Sequence, residues 1–215
     1  MFHKLFKKNE PHLEFREPDL ETRKNKTNIL FVDDNYFQVV DILKKSGWLN
    51  THSTHDIDNL DASIVKDAQI IFVDIHGVGK SLGFSNEGLG LVSALKRKHP
   101  EKRVIVYSSE TKGDRFEEDL ESADKRIKKN ADPYRFVSLV EEYSAEFFTL
   151  DRCVIRLQKI LHSEFNTSLT EAEIKEKLAA IQNQGNTNTN TVSKVFNLSN
   201  AGSLASLVSL LFSSP

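Results

Sequence analysis

Acidic, hydroxyl and ammonium side chains stand where apolar runs of this 215-residue chain end. Asp33 and Asp34 end the first such run, and Asp74 ends a second run of the same design. A third run ends in hydroxyls that begin with Ser108, and Lys129 ends a weaker run. Side chains at the ends of parallel strands meet at one edge of a sheet. We therefore expect these residues to form one site.

The chemistry open to such a site follows from its charges. Three neighbouring carboxylates repel one another, which raises the pKa of at least one of them unless a cation intervenes. Mg²⁺ resolves that conflict, because it prefers a few carboxylates together with waters and a phosphate oxygen. A carboxylate beside Mg²⁺ can attack phosphorus, and a lysine and a hydroxyl can stabilise the transferring group. The residue set therefore suits acyl-phosphate chemistry.

The elements that must position these residues are visible in the hydrophobic pattern. Continuous apolar runs of this length are typical of strands buried on both faces of a parallel sheet. Segments with helical spacing separate them, which predicts right-handed βαβ units. The predicted strands include 28–34, 69–74, 103–109 and a weaker one at 125–129, and the predicted helices are 36–46, 58–67, 87–98 and 114–122.

The order of these landmarks resembles the receiver domains of bacterial two-component response regulators. Adjacent acids end the first strand, one acid ends the third, serine ends the fourth and lysine follows the fifth. The segment Gly88–Lys96 is also similar to the start of the receiver's third helix. The resemblance covers residues 28–148 and implies a flavodoxin-like fold. That fold is a doubly wound α/β structure with a five-stranded parallel sheet.

By this resemblance the acids bind a metal ion. Asp74 is the phosphoacceptor and also contacts Mg²⁺, the implied cofactor. Asp34 is a direct ligand, and Asp33 acts largely through water. The backbone carbonyl of His76 is the remaining protein ligand.

The resemblance also implies how the phosphoryl group is held and where it comes from. Ser108 donates a hydrogen bond to it and Lys129 pairs with its charge, although Lys128 competes for that role. The donor is a sensor histidine kinase or a phosphotransfer protein. The chain is then a response regulator that catalyses its own phosphoryl transfer at most, and it is not otherwise an enzyme.

Some positions depart from the receiver pattern. The proline that usually follows the lysine is Asn130, and the aromatic switch position on the fifth strand is Arg126. The loop from Asp74 to Gly88 is about six residues longer than usual, and its glycines suggest mobility. It is either a lid or partner surface, or tolerated surface variation.

Outside the receiver-like region the pattern predicts two further parts. Residues 1–27 mix charges and form a flexible arm, with a short surface-binding helix as the alternative. Residues 149–215 form a helical module that continues from the Asp132-Pro133 helix start, through one long helix or two joined near Thr149. A polar linker lies at 183–191. The apolar tail 204–212 packs on residues 150–182 or drives self-association, and a homodimer through the C-terminal helices stays open.

Two other functions compete with a phosphorylated receiver. One is a receiver-like adaptor that works without phosphorylation, which Arg126, Asn130 and the long loop from Asp74 to Gly88 favour. The other is a small Mg²⁺-dependent phosphatase. This alternative is the weaker one, because His76 stands where that family has the aspartate that acts as general acid. Gly79-Lys80-Ser81 looks like the end of a P-loop, but the required earlier glycine is Asp74, so this interpretation fails.

The composition restricts the partners and the cellular location that we expect for the protein. A formal net charge of −2 gives no general attraction to nucleic acid, and residues 151–215 contain six Lys/Arg against five Asp/Glu. A DNA-reading helix is therefore not expected there. Cys153 is the single cysteine, which excludes an internal disulfide. Without a secretory signal or an apolar stretch of roughly 20 residues, we expect a cytoplasmic protein.

Overall fold

The apolar runs form a five-stranded, fully parallel sheet in the order β2-β1-β3-β4-β5. A computed structural model describes residues 13–109 and 122–212. The strands are β1 (Ile29–Val32), β2 (Thr51–Thr54), β3 (Ile70–Asp74), β4 (Arg103–Ser108) and β5 (Lys125–Lys128). The helices are α1 (Leu20–Lys26), α2 (Val39–Lys45), α3 (Ser63–Asp67), α4 (Gly88–Lys98), α5 (Pro133–Phe147), α6 (Leu150–Phe165), α7 (Glu171–Gln184), α8 (Thr189–Phe196) and α9 (Gly202–Leu211).

This sheet order confirms the predicted flavodoxin-like, doubly wound fold. The chain moves outward from β1 to β2, crosses to β3 on the other side of β1, and continues to β4 and β5. The strand order therefore reverses between β1 and β3, and ligands bind beside such a switch point. Most of the predicted helix at 114–122 lies outside the described residues.

Both faces of the central strands are buried, as the continuous apolar runs predict. All residues of β1 and β3 are buried. Residues alternate between the two faces along each strand. Aliphatic side chains cover one face, including Leu30, Val32 and Ile71. Aromatic rings gather on the other, where the Phe31 and Phe72 rings stack at 4.5 Å.

The N-terminal region differs from the predicted flexible arm. Residues Leu20–Lys26 form α1, and Arg23 donates from Nη1 to the Glu141 carbonyl and the Ser144 hydroxyl of α5. The helix is short and contains no buried residue, so it has no buried face that hydrophobic periodicity in the sequence could reveal. Tertiary hydrogen bonds of this kind leave no periodic signal, which is why the arm prediction is wrong for these residues.

The chain divides into two compact units. One comprises Leu20–Ala145, which contains the sheet. The other comprises the described parts of Met1–Asp19 and Glu146–Pro215. In this second unit the backbone N–H and carbonyl of Glu14 both hydrogen bond to the side-chain amide of Gln182, at 2.9 and 2.5 Å. Glu14 is therefore attached to α7 of its own unit.

The second unit is helical, as predicted, but its connections differ in detail. Two helices, α5 and α6, meet at Thr149, so the second of the two alternatives is found. Thr170 opens α7 with a capping box that Glu173 completes. The expected linker at 183–191 is wrong in extent, because α7 continues to Gln184 and α8 begins at Thr189. The Asn188 side chain caps α8. This cap is hard to identify in the sequence because several neighbouring residues are also asparagine.

The apolar tail packs within its own unit. Helix α9 contacts α6 and α8. Its buried residues are Leu204, Ala205, Leu207, Val208 and Leu211. Fully burying such a leucine stabilises a fold by about 1.5–3 kcal/mol, which explains why this segment is so apolar. Among the described residues, no helix has the length and apolar character needed to cross a membrane.

Candidate functional site

The carboxyl ends of the strands bring the predicted acids together. Asp33 directly follows β1, and Asp74 is the last residue of β3. Asp34 is exposed, whereas Asp33 and Asp74 are 4% and 5% exposed. One carboxylate oxygen from each lies within 4.8 Å of the others. Two nearly buried carboxylates at this spacing require a cation beside them.

Lys129 supplies part of that charge and settles the competition with Lys128. Its Nζ lies 2.5 Å from Asp74 Oδ2 and 2.8 Å from Asp33 Oδ2. Lys128 is exposed. Burial alone would lower the pKa of Lys129, but the hydrogen bonds to Asp33 and Asp74 outweigh it, so the pKa lies above its usual value. Lys129 is therefore the lysine at the acid cluster.

Backbone pairing fixes the position of Lys129. Its amide donates to the Ser108 carbonyl at 2.8 Å, which extends the pairing of β5 with β4 by one residue. Ser108 itself is 2% exposed at the end of β4. Asp74 is in register with Tyr107, so Ser108 stands one residue beyond the level of Asp74 on the neighbouring strand. The predicted serine and lysine thus lie at the same sheet edge as Asp74.

The backbone at Gly77 passes close to the Asp34 carboxylate. A Cβ atom at Gly77 would lie only 2.1 Å from Asp34 Oδ2, and the Gly77 backbone has a φ of +84° that other residues rarely adopt. The backbone can therefore approach this carboxylate only because residue 77 is glycine. Asp34 thus adds an exposed carboxylate to the cluster, and carboxylate oxygens are ligands that suit Mg²⁺.

His76 has a less direct relation to the acids. Its backbone N–H points to Asp74 Oδ1 at 3.4 Å, which is a long contact. Its side chain is 52% exposed, with Nδ1 at 3.8 Å from a Glu87 carboxylate oxygen. The predicted metal ligand is the backbone carbonyl of His76, and it stays a prediction.

Hydrogen bonds tie down the long loop between Asp74 and Gly88. The Asp56 carboxylate accepts from the amides of Gly79 at 2.5 Å and Ser81 at 2.9 Å. Burial would raise the pKa of Asp56, but these bonds, with one from its neighbour Ile57, hold that pKa below the usual value. The Gly79 backbone has a φ of +80°, so this glycine makes a turn that the anchor requires.

A second acid holds the same loop near the site. The Glu87 carboxylate accepts from the Gly77 amide at 2.8 Å and pairs with Lys80 at 3.4 Å. The pKa of Glu87 lies below its usual value, chiefly because of the Gly77 hydrogen bond. Glu87 has a φ of 51° and a ψ of −127°. This backbone is unfavourable for a residue with a Cβ, and it therefore marks a constrained loop end.

Tyr107 is a site residue that the sequence analysis missed. It is fully buried, and its hydroxyl donates to Asp33 Oδ2 at 2.8 Å. Its ring stacks on Phe37 at 5.0 Å and lies 5.5 Å from Lys129 Nζ. Burial and the neighbouring Asp33 charge raise the pKa of Tyr107 far above its usual value, so the hydroxyl stays protonated. The available signal was a tyrosine among aliphatic strand residues, because a buried tyrosine needs a hydrogen-bond partner.

Two residues that depart from the receiver pattern are exposed. Arg126 is exposed on β5, at the position where the pattern expects an aromatic switch. Asn130 is exposed where the pattern expects proline. An aromatic residue that contacts the acids is instead on β4, where the Tyr107 hydroxyl donates to Asp33.

Comparison with known proteins finds similarity only among solved structures, because no family model and no curated protein matches the chain. The receiver domain of NtrX from Brucella abortus is 28% identical with a TM-score of 0.43, over 54% of this chain and 98% of that one. A response regulator from Thermotoga maritima is 18% identical with a TM-score of 0.45, over 55% and 98%. One from Burkholderia pseudomallei, solved with a phosphorylated aspartic acid, a calcium ion and citrate, is 18% identical with a TM-score of 0.42, over 80% and 93%.

The class of the sheet-containing unit follows from its own fold and site. Because all three TM-scores are below 0.5, the fold class rests on the parallel sheet and its strand order. The unit is a doubly wound α/β protein with three carboxylates and a lysine at the ends of its strands. The solved structures similar to the chain are receiver domains and response regulators.

Proposed function

We propose that this chain is a response regulator whose receiver unit accepts a phosphoryl group on Asp74 with Mg²⁺. The observation that carries the proposal is the contact of Lys129 with Asp74 and Asp33, within a cluster that also contains Asp34. The arrangement provides an anionic nucleophile, oxygen ligands for a cation and a fixed positive charge. These are the parts that phosphoryl transfer to a carboxylate requires.

Mg²⁺ would be held by Asp34 and Asp74 directly, by Asp33 largely through water, and by the His76 carbonyl. When bound, it supplies positive charge that offsets the charge developing on the phosphoryl oxygens. Lys129 would supply a second positive charge by moving from the free carboxylates to a phosphoryl oxygen. Its raised pKa keeps it cationic at neutral pH.

The transfer itself is a displacement at phosphorus. A carboxylate oxygen of Asp74 forms a bond to phosphorus while the bond from phosphorus to the donor's imidazole nitrogen breaks. The bonding electrons return to the imidazole, which takes up a proton from solvent. Ser108 would donate a hydrogen bond to the new acyl phosphate. The donor is therefore a phosphohistidine on a sensor kinase or a phosphotransfer protein.

We assign the output to the helical unit, acting through another protein rather than through DNA. Residues 151–215 contain six Lys/Arg against five Asp/Glu, and this balance lacks the positive charge that phosphate contacts need. Helix α9 has an exposed side of serine and glycine, including Gly202, Ser203 and Ser206. A second function, an adaptor that works without phosphorylation, is favoured by the exposed Arg126 at the switch position.

Beryllofluoride binding separates these two functions. We expect the purified chain to bind beryllofluoride only when Mg²⁺ is present, as measured by calorimetry, because the acyl-phosphate analogue needs the cation and Lys129. The variant Asp74→Asn should lose this binding. Asp58→Asn, which changes an exposed acid of the β2–α3 connection, should keep it. Absence of beryllofluoride binding to the wild-type chain at saturating Mg²⁺ would contradict the phosphorylated receiver and favour the adaptor function.

A further inference from the structure

Among the residues that the structure describes, three groups donate hydrogen bonds to the Asp33 carboxylate. Oδ1 accepts from the Asn35 amide at 2.9 Å. Oδ2 accepts from both the Tyr107 hydroxyl and Lys129 Nζ, each at 2.8 Å. Asp33 is 4% exposed, so water has little access to replace any of these donors. The orientation of this carboxylate therefore depends on its protein partners.

The two donors on Oδ2 differ in freedom. Lys129 is a flexible, half-buried side chain that also contacts Asp74, and its role in the proposed function requires it to move to a phosphoryl oxygen. Tyr107 is rigid by comparison. Its ring is fully buried and packs against Phe37 at 5.0 Å and against Phe136 at 6.2 Å. Its hydroxyl would therefore remain at Asp33 if the lysine moved.

The strand register explains why the hydroxyl reaches this oxygen. Tyr107 on β4 is in register with Asp74 on β3, which places its ring on the same face as Phe72 two residues earlier. Asp33 follows Phe31 by two residues on β1 and shares that face. The tyrosine thus extends from β4 past β3 to the end of β1. A leucine or phenylalanine at position 107 would leave Asp33 one donor short.

We propose that Tyr107 is a positioning residue of the phosphoryl-transfer site, which holds Asp33 in its metal-binding orientation after Lys129 has moved to the phosphoryl group. This inference rests on the proposed function, because it gives Asp33 and Lys129 the roles stated there. Partners that orient a metal ligand by hydrogen bonding typically change metal affinity about 10- to 100-fold when removed. The Asn35 backbone amide would still donate to Asp33 Oδ1 without the tyrosine hydroxyl. We therefore expect the loss of Mg²⁺ affinity on removing that hydroxyl to lie at the lower end of that range.

The test is the Mg²⁺ affinity of Tyr107→Phe at a fixed, saturating beryllofluoride concentration, measured by calorimetry. This substitution removes the hydroxyl and keeps the buried ring, so the packing against Phe37 is retained. We expect Mg²⁺ binding about tenfold weaker than in the wild type. Tyr143→Phe is the matched control, because Tyr143 is a buried tyrosine of α5 whose ring lies under Arg103. It should bind Mg²⁺ as the wild type does.

A double-mutant cycle shows whether Tyr107 acts through Asp33. In an Asp33→Asn background, Tyr107→Phe should weaken Mg²⁺ binding by less than twofold, because the oriented carboxylate is already gone. A purely structural role would give the same loss in both backgrounds, and that result would overturn the inference. Wild-type affinity in Tyr107→Phe would overturn it as well. If the wild-type chain itself fails to bind Mg²⁺, the proposed function fails and the inference with it.

Discussion

Gly88→Ala is expected to lower the Tm by roughly 10 °C and to abolish beryllofluoride binding. A Cβ atom at Gly88, the first residue of α4, would lie 1.9 Å from the backbone oxygen of Asp74. Backbone atoms cannot yield as a flexible side chain does, so α4 or the end of β3 must shift. Such overpacking costs about 3 kcal/mol, and it displaces Asp74, the phosphoacceptor of the proposed function.

Gly202→Ala is the control for this substitution. Gly202 is also the first residue of a helix, α9, and a Cβ atom there would meet only Asn200 Oδ1, at 3.6 Å. Its Tm should be unchanged or slightly higher, because alanine favours the helix. Thermal unfolding and calorimetry measure both effects. A Gly88→Ala variant with wild-type Tm and binding would contradict the close approach of α4 to Asp74.

Lys129→Met is expected to destabilise the metal-free protein by about 3 kcal/mol and to abolish the response to beryllofluoride. Asp33 and Asp74 would lose their common cation, and an unpaired buried charge carries a cost of this size. Mg²⁺ should restore much of the stability, because it replaces the lost charge. Chemical denaturation with and without Mg²⁺ measures the difference. Lys128→Met, which changes the exposed neighbour, should show neither effect.

The contribution of Lys129 to the free energy of unfolding depends on pH with a defined sign. The pKa of Lys129 is raised in the folded protein, so its stabilisation is complete below the unfolded value of about 10.4 and is lost only as the pH rises through the folded value. The wild-type site therefore keeps its cation at neutral pH. Lys129→Met should therefore lack the decrease in stability that the wild-type protein shows as the pH rises through the folded pKa of Lys129. The same decrease in both proteins, measured by chemical denaturation, would contradict the contact of Lys129 with Asp33 and Asp74.

The sheet and the edge where the site lies were both predictable from the sequence, because burial of the strands on both faces determines the hydrophobic pattern that reveals each of them. Strands buried on both faces must be continuously apolar, so a polar residue such as Asp74 marks the strand end. The parallel order then brings the ends together without any knowledge of side-chain contacts. The same logic placed Lys129 at the acids, although Lys128 was as good a candidate in the sequence. Only the pairing of β5 with β4 decides between them.

The parts that the sequence did not reveal depend on contacts between distant residues. Tyr107 matters through a hydrogen bond to a residue 74 positions away, and nothing in its local sequence indicates that partner. The glycines after Asp74 suggested a mobile loop, yet Gly79 makes a turn that a hydrogen bond to Asp56 holds. Helix α1 has no apolar face, so no periodicity predicts it. Pattern analysis detects burial, whereas these features depend on hydrogen bonding.

The central claim is that Asp74 becomes covalently phosphorylated, and a small phosphodonor tests it without knowledge of the kinase. The chain would be incubated with acetyl phosphate, with and without Mg²⁺, and the modified residue located by mass spectrometry of its peptides. We predict one phosphoryl group per chain, on Asp74, dependent on Mg²⁺ and absent from Asp74→Asn. A phosphoryl group on another residue, or none at saturating donor and Mg²⁺, would contradict the account.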